Sequence, residues 1–240
     1  MPTHFIDLSM SVDNEMVTFP KIIQPTLEMY QDWEDYATQI GAAEQGVTWL
    51  TATYRVELSD HVGTHMDSLR HMRSDSGGPE AIPIEYCYGD GVVLDFRHKP
   101  AGSGIARDEV IAELARIDYT LKPLDIVLIM TGAGSYQTEQ RYLTDHSGMT
   151  AEAVHWLIDQ GILMMGIDAI TFDPPVWAMF ERKMFWEAHR VMLEREYYHV
   201  ENLTNLDLLP KPFGFKVSLF PVKWVNTTGS PVRAVAMIDE

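Results

Sequence analysis

The apolar and polar positions of this chain fall into strand-length runs that alternate with helical spacings. Phe5-Ile6-Asp7-Leu8-Ser9 opens with a short strand pattern. Residues 91–96 (Gly-Val-Val-Leu-Asp-Phe), 125–131 (Asp-Ile-Val-Leu-Ile-Met-Thr) and 161–168 (Gly-Ile-Leu-Met-Met-Gly-Ile-Asp) are almost unbroken apolar runs. Such runs are expected of strands buried on both faces. Residues 105–117 carry helical spacing, with Asp108 and Glu109 placed early, where a carboxylate suits the helix dipole. Residues 150–160 predict a second helix, with Thr150 as N-cap and Gly161 just past its end. Strand, helix and strand alternating over residues 91–168 predict an α/β core.

The flanks read differently. Residues 12–47 show little periodicity and carry Pro20, Pro25 and the scattered aromatics Tyr30, Trp33 and Tyr36. An irregular stretch of that length is usually functional or covers a neighbouring subunit. Residues 47–58 are rich in β-branched and aromatic side chains and predict a strand that leads into the residues after it. In the tail, residues 215–220 with 222–225, and then 232–238, are β candidates, and Asn226-Thr-Thr-Gly229 predicts a hairpin turn between them. No repeat, low-complexity tract or linker divides the chain, so residues 1–240 are expected to form one domain.

The chemistry concentrates directly after the strand predicted at 47–58. His61-Val-Gly-Thr-His65-Met-Asp67-Ser-Leu-Arg-His71 places three imidazoles and a carboxylate in one short stretch. Imidazole nitrogen and carboxylate oxygen are donors that Zn²⁺, Mn²⁺ and Fe²⁺ all accept. His61 and His65 share a face on a helical turn, whereas His65 and Asp67 share one on a strand. Gly63 supplies the backbone freedom for a turn that satisfies both. His71 then stands as a ligand or as a base just outside the metal shell. Three ligands and a spare base are the minimum set for a hydrolytic metal site.

Composition narrows the partners. The 18 basic and 35 acidic residues leave a formal charge of -17, which argues against a nucleic-acid or anionic-membrane surface. The single cysteine, Cys87, excludes an internal disulfide and reads as a packed thiol. The opening residues have neither a basic nor an apolar signal region, and no run reaches membrane-span length. A cytoplasmic protein acting on a small molecule is expected.

Other stretches are weaker. Gly132-Ala-Gly134-Ser135 resembles a phosphate loop but lacks the spacing of either phosphate-binding motif, so a tight strand exit is expected there. Asp168 ends a buried strand and Asp173-Pro-Pro175 follows. Either can line a pocket or cap a turn, and Asp168 is the preferred candidate. The Met and aromatic side chains of residues 177–200 suit a core, or one wall of an apolar pocket. His189 and Glu201 lie too far apart to make a motif by themselves.

Taken together, Asp7-Leu-Ser9, His61-x3-His65-x-Asp67-x3-His71, Asp145-His-Ser-Gly148, Gly166-Ile-Asp168, the pair His189 and Glu201, and Gly229-Ser-Pro-Val-Arg233 resemble the cyclase family of metal-dependent hydrolases, which includes bacterial kynurenine formamidase and isatin hydrolase. The histidine motif is the specific part. The resemblance implies that His61, His65 and Asp67 bind a metal and that Asp67 bridges to a second metal held by His189 and Glu201. It makes His71 the nearby acid/base. It further implies zinc or manganese, one or two ions per chain, a mixed-sheet fold of swivelling β/β/α type, and a homodimer or homotetramer in which the N-terminal region reaches a neighbour. Two features depart from the family pattern: the proline common two residues after the motif Asp is Leu69 here, and residues 172–183 are longer and more aromatic.

The expected reaction is hydrolysis of a carbon–nitrogen amide bond, in an N-formyl arylamine or a cyclic amide such as a lactam or imide. Two competitors use the same donors: a non-haem Fe²⁺ oxygenase, built on two His and one carboxylate, and a non-catalytic metal-binding module.

Overall fold

The computed structural model describes residues 3–239. In chain order the strands are β1 (Thr3–Asp7), β2 (Thr26–Gln31), β3 (Thr53–Glu57), β4 (His65–Asp67), β5 (Tyr88–Asp95), β6 (Gly104–Ile105), β7 (Ile126–Met130), β8 (Gly148–Met149), β9 (Met164–Ile167), β10 (Tyr198–Glu201), β11 (Phe213–Ser218), β12 (Gly229–Pro231) and β13 (Val235–Asp239). The helices are α1 (Trp33–Gln39), α2 (Arg107–Arg116), α3 (Ala151–Asp159) and α4 (Val176–Arg182), joined by short 3₁₀ turns.

Nine strands form one mixed sheet in the order β1-β13-β11-β5-β7-β9-β10-β4-β12. Its centre, β5-β7-β9-β10, is parallel, and the strands on either side are antiparallel. The three apolar runs predicted as buried strands are β5, β7 and β9. Their side chains alternate between two cores, as the pleat requires. Val92, Leu94, Val127, Ile129, Met165 and Ile167 face a layer containing α2 and α3. Val93, Ile126, Leu128 and Met164 face a second core made by the sheet itself.

That second core shows why the sheet curls. It joins Leu8, Ala234 and Ala236 from one end of the strand order to Met66, Val200 and Val232 near the other. Nine flat strands about 4.8 Å apart could not bring those side chains together. Backbone pairing closes the curl: Ser9, after β1, bridges Leu203, after β10, and the Thr204 N–H donates to the Leu8 carbonyl at 2.9 Å.

The helix signals hold. Thr150 Oγ1 accepts the Ala153 N–H, and Gly161 takes φ +86° beyond α3. Glu109 reaches back from α2 to accept the Ala106 N–H at 2.9 Å. Cys87 is buried, and burial pushes its thiol up to about 11, so it stays a packed thiol.

Three expectations need correction. Residues 12–47 are not irregular throughout. They contain β2 and α1, whose N-cap Asp32 accepts from the Glu34 and Asp35 N–H groups. The strand expected over residues 47–58 shrinks to β3, which pairs only with β2 in an exposed two-stranded ribbon outside the large sheet. Its β-branched and aromatic side chains, Tyr54 and Val56 among them, face solvent rather than the core. Residues 222–225 form no strand, and the turn at 226–229 is not a hairpin: β12 crosses to pair with β4, and β13 lies between β1 and β11. Non-local pairing decides both cases, and local propensity carries no information about it.

Candidate metal centre

The site is built on two adjacent strands. In the antiparallel pair β4–β10, Asp67 lies opposite His199 and His65 opposite Glu201. Residues opposite each other, and residues two apart on one strand, point to the same face. His65, Asp67, His199 and Glu201 therefore share one face, while Met66 and Val200 point away into the second core.

Three loops add the remaining imidazoles. His189 opens the 3₁₀ turn His189–Leu193, and His71 ends the 3₁₀ turn Leu69–His71. His61 lies in the turn before β4, where Gly63 takes φ +67°, the left-handed conformation that glycine adopts without strain. Gly229, opposite Asp67 on β12, leaves room for the His61 ring: a Cβ there would lie 2.8 Å from His61 Cε1.

All six residues singled out in the sequence meet around Asp67. His61 Nδ1 lies 2.9 Å and His65 Nε2 3.3 Å from Asp67 Oδ1. His71 Nε2 lies 3.6 Å and His189 Nε2 3.4 Å from Asp67 Oδ2. Glu201 Oε1 is 3.3 Å from His189 Nε2, and Glu201 Oε2 is 3.6 Å from His65 Nε2. The structure brings in a seventh residue. His199 Nε2 lies 3.5 Å from Asp67 Oδ2 and 3.4 Å from Glu201 Oε1. Its signal was the alternation His199-x-Glu201, the same strand pattern as His65-x-Asp67.

Outer contacts fix several of these groups. The His65 Nδ1–H donates to the Gly63 carbonyl at 2.9 Å, which leaves Nε2 to face the carboxylates. His61 Nε2 lies 2.8 Å from Thr228 Oγ1, and Thr228 is in turn bonded to Asp60. Glu201 Oε1 accepts the Phe172 N–H at 2.7 Å.

The two aspartates weighed in the sequence exchange places. Asp168, the preferred one, accepts from the Thr131 and Gly132 N–H groups and the Thr131 hydroxyl. It ties down the strand exit at 131–134 rather than lining the pocket, and burial pushes its carboxyl up. Asp173 is the one that serves the site: its Oδ2 lies 2.5 Å from His189 Nδ1.

The donor set fits a divalent cation. Asp67 and Glu201 are buried, and among the described residues their ion-pair partners are histidines, with no Lys or Arg. Among the described residues, His65 Nε2, Asp67 Oδ2 and both ring nitrogens of His199 are buried without a hydrogen-bond partner. Buried polar atoms left in that state are costly, and ligation relieves them. Electrostatics at Asp67 point the same way. Burial opposes ionisation of Asp67, yet His61, His71 and the contacts from His189 and His199 hold it well below the ordinary carboxylate range. Burial disfavours charge on His189, but Asp173 and Asp67 outweigh it and raise the imidazole well above its usual value. Burial takes His71 down to about 4, so it is a neutral imidazole.

The centre opens on a cavity of about 510 Å³. Phe19, Ile22, Met72, Ile170, Phe185 and Trp186 give it apolar walls, and among the described residues Arg190 is the one Lys or Arg that lines it. Of the aromatic stretch weighed as a pocket wall, Phe185 and Trp186 line the cavity, whereas Met179 is buried.

Comparison with known proteins agrees with this architecture. A kynurenine formamidase of Erythrobacter litoralis is 26% identical over 181 residues, covering 75% of this chain and 74% of its own. That of Bacillus cytotoxicus is 23% identical over 234 residues, or 97% of each chain. An isatin hydrolase solved with the product analogue thioisatinate superposes with a TM-score of 0.83 at 18% identity, covering 99% of this chain and 93% of the other. Isatin hydrolase A from Ralstonia solanacearum gives 0.83 at 21% identity, covering 99% and 92%. The Cyclase family, described as "Putative cyclase", matches residues 6–174, more than half of the sequence, and the chain belongs to that family.

Proposed function

We propose that this protein is a metal-dependent hydrolase that cleaves a carbon–nitrogen amide bond in an N-formyl arylamine or a cyclic amide. The observation that carries this reading is the meeting of His61, His65, Asp67, His189 and Glu201, with partnerless buried atoms among them, on an apolar cavity. The relatives known as kynurenine formamidases support the same reaction class. In this reading His61, His65 and Asp67 hold one cation, and Asp67, His189 and Glu201 hold a second, zinc or manganese. A bound divalent cation supplies polarisation of the carbonyl and a water whose pKa is lowered to about 7.

The chain's own groups do the rest. Phe185 and Trp186 belong to the apolar lining of the cavity, which suits an aryl amide. His71, half-buried beside Asp67, is placed to take a proton from the attacking water at Nε2 and pass it to the leaving nitrogen. An amide nitrogen needs that proton before it departs, and general acid–base help of this kind contributes roughly 10²–10⁴-fold. The donor set of two carboxylates and several imidazoles exceeds the two-His, one-carboxylate set of an Fe²⁺ oxygenase.

The small-molecule substrate, the cytoplasmic location and the homodimer or homotetramer belong to the same proposal. No helix among the described residues is long and apolar enough to cross a membrane. Tyr30, Trp49, Tyr54 and Val56, on or beside the β2–β3 ribbon, are more than half exposed, which supports association with a second copy. The deciding experiment measures metal content per chain alongside hydrolysis of formanilides, isatins and small lactams under anaerobic conditions. Turnover that needs zinc or manganese, and not oxygen, is expected. A metal-free chain, or one that loads metal but hydrolyses none of these, removes the proposal.

A further inference from the structure

We infer that His199 is a fourth donor of the cation position formed by Asp67, His189 and Glu201. That position is then the closed and tight one, and the water-bearing role falls to the position of His61 and His65. This rests on reading the site as a two-cation centre.

The imidazole of His199 makes no hydrogen bond among the described residues that would account for it. His199 is fully buried, stacked on Phe172 with ring centroids 4.5 Å apart and an interplanar angle of 12°, and flanked by Tyr197. Neither of its ring nitrogens has a hydrogen-bond partner among the described residues. An apolar ring would fill that slot without cost, so the nitrogens need a reason.

The spacing supplies one. His189 Nε2 lies 3.4 Å from Asp67 Oδ2 and 3.3 Å from Glu201 Oε1, while His199 Nε2 lies 3.5 and 3.4 Å from the same two atoms. These distances are long for charge-assisted hydrogen bonds, which run at about 2.7–2.9 Å. They match the edges of a coordination tetrahedron: donors about 2.0–2.2 Å from one ion at tetrahedral angles stand roughly 3.3–3.6 Å apart. Two imidazoles and two carboxylate oxygens complete that shell.

Four protein donors leave no place for water, whereas hydrolytic centres keep one position open. The other group differs in just this respect. His61, half-buried, lines the cavity beside the acid/base His71; His189 and Glu201 reach the cavity too, but the fully buried His199 closes the inner side of their position. The asymmetry assigns holding to one cation position and solvent activation to the other, with Asp67 shared between them.

Zinc titration of the metal-stripped full chain, followed by calorimetry and by metal content after dialysis, tests the assignment. The wild type is expected to bind two equivalents in a tight and a weaker step. His199→Phe, which keeps the ring stack, should weaken the tight step at least 100-fold. His199→Cys, which restores a donor, should recover most of it, and His61→Ala should weaken only the second step. If His199→Phe fails to fold, His199→Cys against His199→Ala makes the same comparison between two small side chains. An unchanged tight step in His199→Phe, or in His199→Ala where that variant stands in, overturns the assignment and leaves the two-cation reading intact. A wild type that binds one equivalent overturns the division between the positions, and one that binds none removes the metal centre itself.

Discussion

Asp173 Oδ2 lies 2.5 Å from His189 Nδ1, and the same carboxylate accepts the Ala188 and His189 backbone N–H groups. A carboxylate only accepts, so Nδ1 carries a hydrogen and Nε2 is the atom turned towards Asp67 and Glu201. The side chain of Asp173 thus sets both the orientation and the tautomer of His189. Partners of this kind are worth about 10–100-fold in metal affinity. Asp173→Asn is expected to weaken zinc binding by that factor, read by competition with a chelator. Undiminished affinity would mean that the 3₁₀ turn alone holds the ring.

His71 and His65 should separate cleanly. His65 is buried, with Nε2 between Asp67 and Glu201, whereas His71 is half-buried at the cavity. His65→Ala should release the cation of the position it shares with His61, leaving the tight one bound. His71→Ala should retain both while turnover falls roughly 10²–10⁴-fold. Metal analysis of the two purified variants decides the matter, and a metal-depleted His71→Ala protein would move His71 into the ligand shell, where its 3.6 Å approach to Asp67 Oδ2 also permits it to act.

The turn between His61 and His65 is sensitive to one methyl group. Gly63 has φ +67°, and a Cβ there would stand 2.6 Å from Val12 Cγ2. The left-handed backbone alone costs an L-residue roughly 1–2 kcal/mol, and Val12 is stiff at χ1. Gly63→Ala should therefore lower stability by about 1–3 kcal/mol in urea unfolding of the metal-free chain. It should also weaken zinc binding, because the turn aims two of the imidazoles. A variant matching the wild type in both would show that the turn tolerates another backbone path.

What could be read in the sequence was whatever depends on neighbours along the chain. The runs that became β5, β7 and β9 announce burial by composition, Thr150 and Gly161 bracket α3 by their capping chemistry, and His65-x-Asp67 declares a shared strand face. What depends on pairing across the fold was silent. Nothing local says that β10 lies against β4, so His199 passed unnoticed until the register put it opposite Asp67. Asp168 and Asp173 look alike in sequence, and only the approach of the 3₁₀ turn at His189 separates an aspartate that caps a strand exit from one that orients a histidine. The β2–β3 ribbon misled for a related reason. Its β-branched and aromatic residues meet the preference of a strand, but they sit in the exposed β2–β3 ribbon and face solvent rather than a core.

His146 provides a stability switch outside the set of proposed ligands, although the Glu201 carboxylate acts on it. It is buried, its Nε2 has no hydrogen-bond partner among the described residues, and burial takes its pKa down to about 4 from an ordinary 6.5. A histidine depressed in the folded state favours folding above its unfolded value, and that contribution disappears as pH falls through the folded one. The window is therefore pH 6.5 down to about 4, with the unfolded chain binding the extra proton. At 1.36 kcal/mol for each pH unit, the loss across the window is about 3 kcal/mol. His146→Gln removes the titration while keeping a polar side chain of similar reach. Urea midpoints of the metal-stripped wild type should fall between pH 7 and pH 5 by more than those of the variant, whatever the variant's absolute stability. Parallel declines would mean that the acid sensitivity of the fold comes from other groups and that water reaches His146 in the folded state.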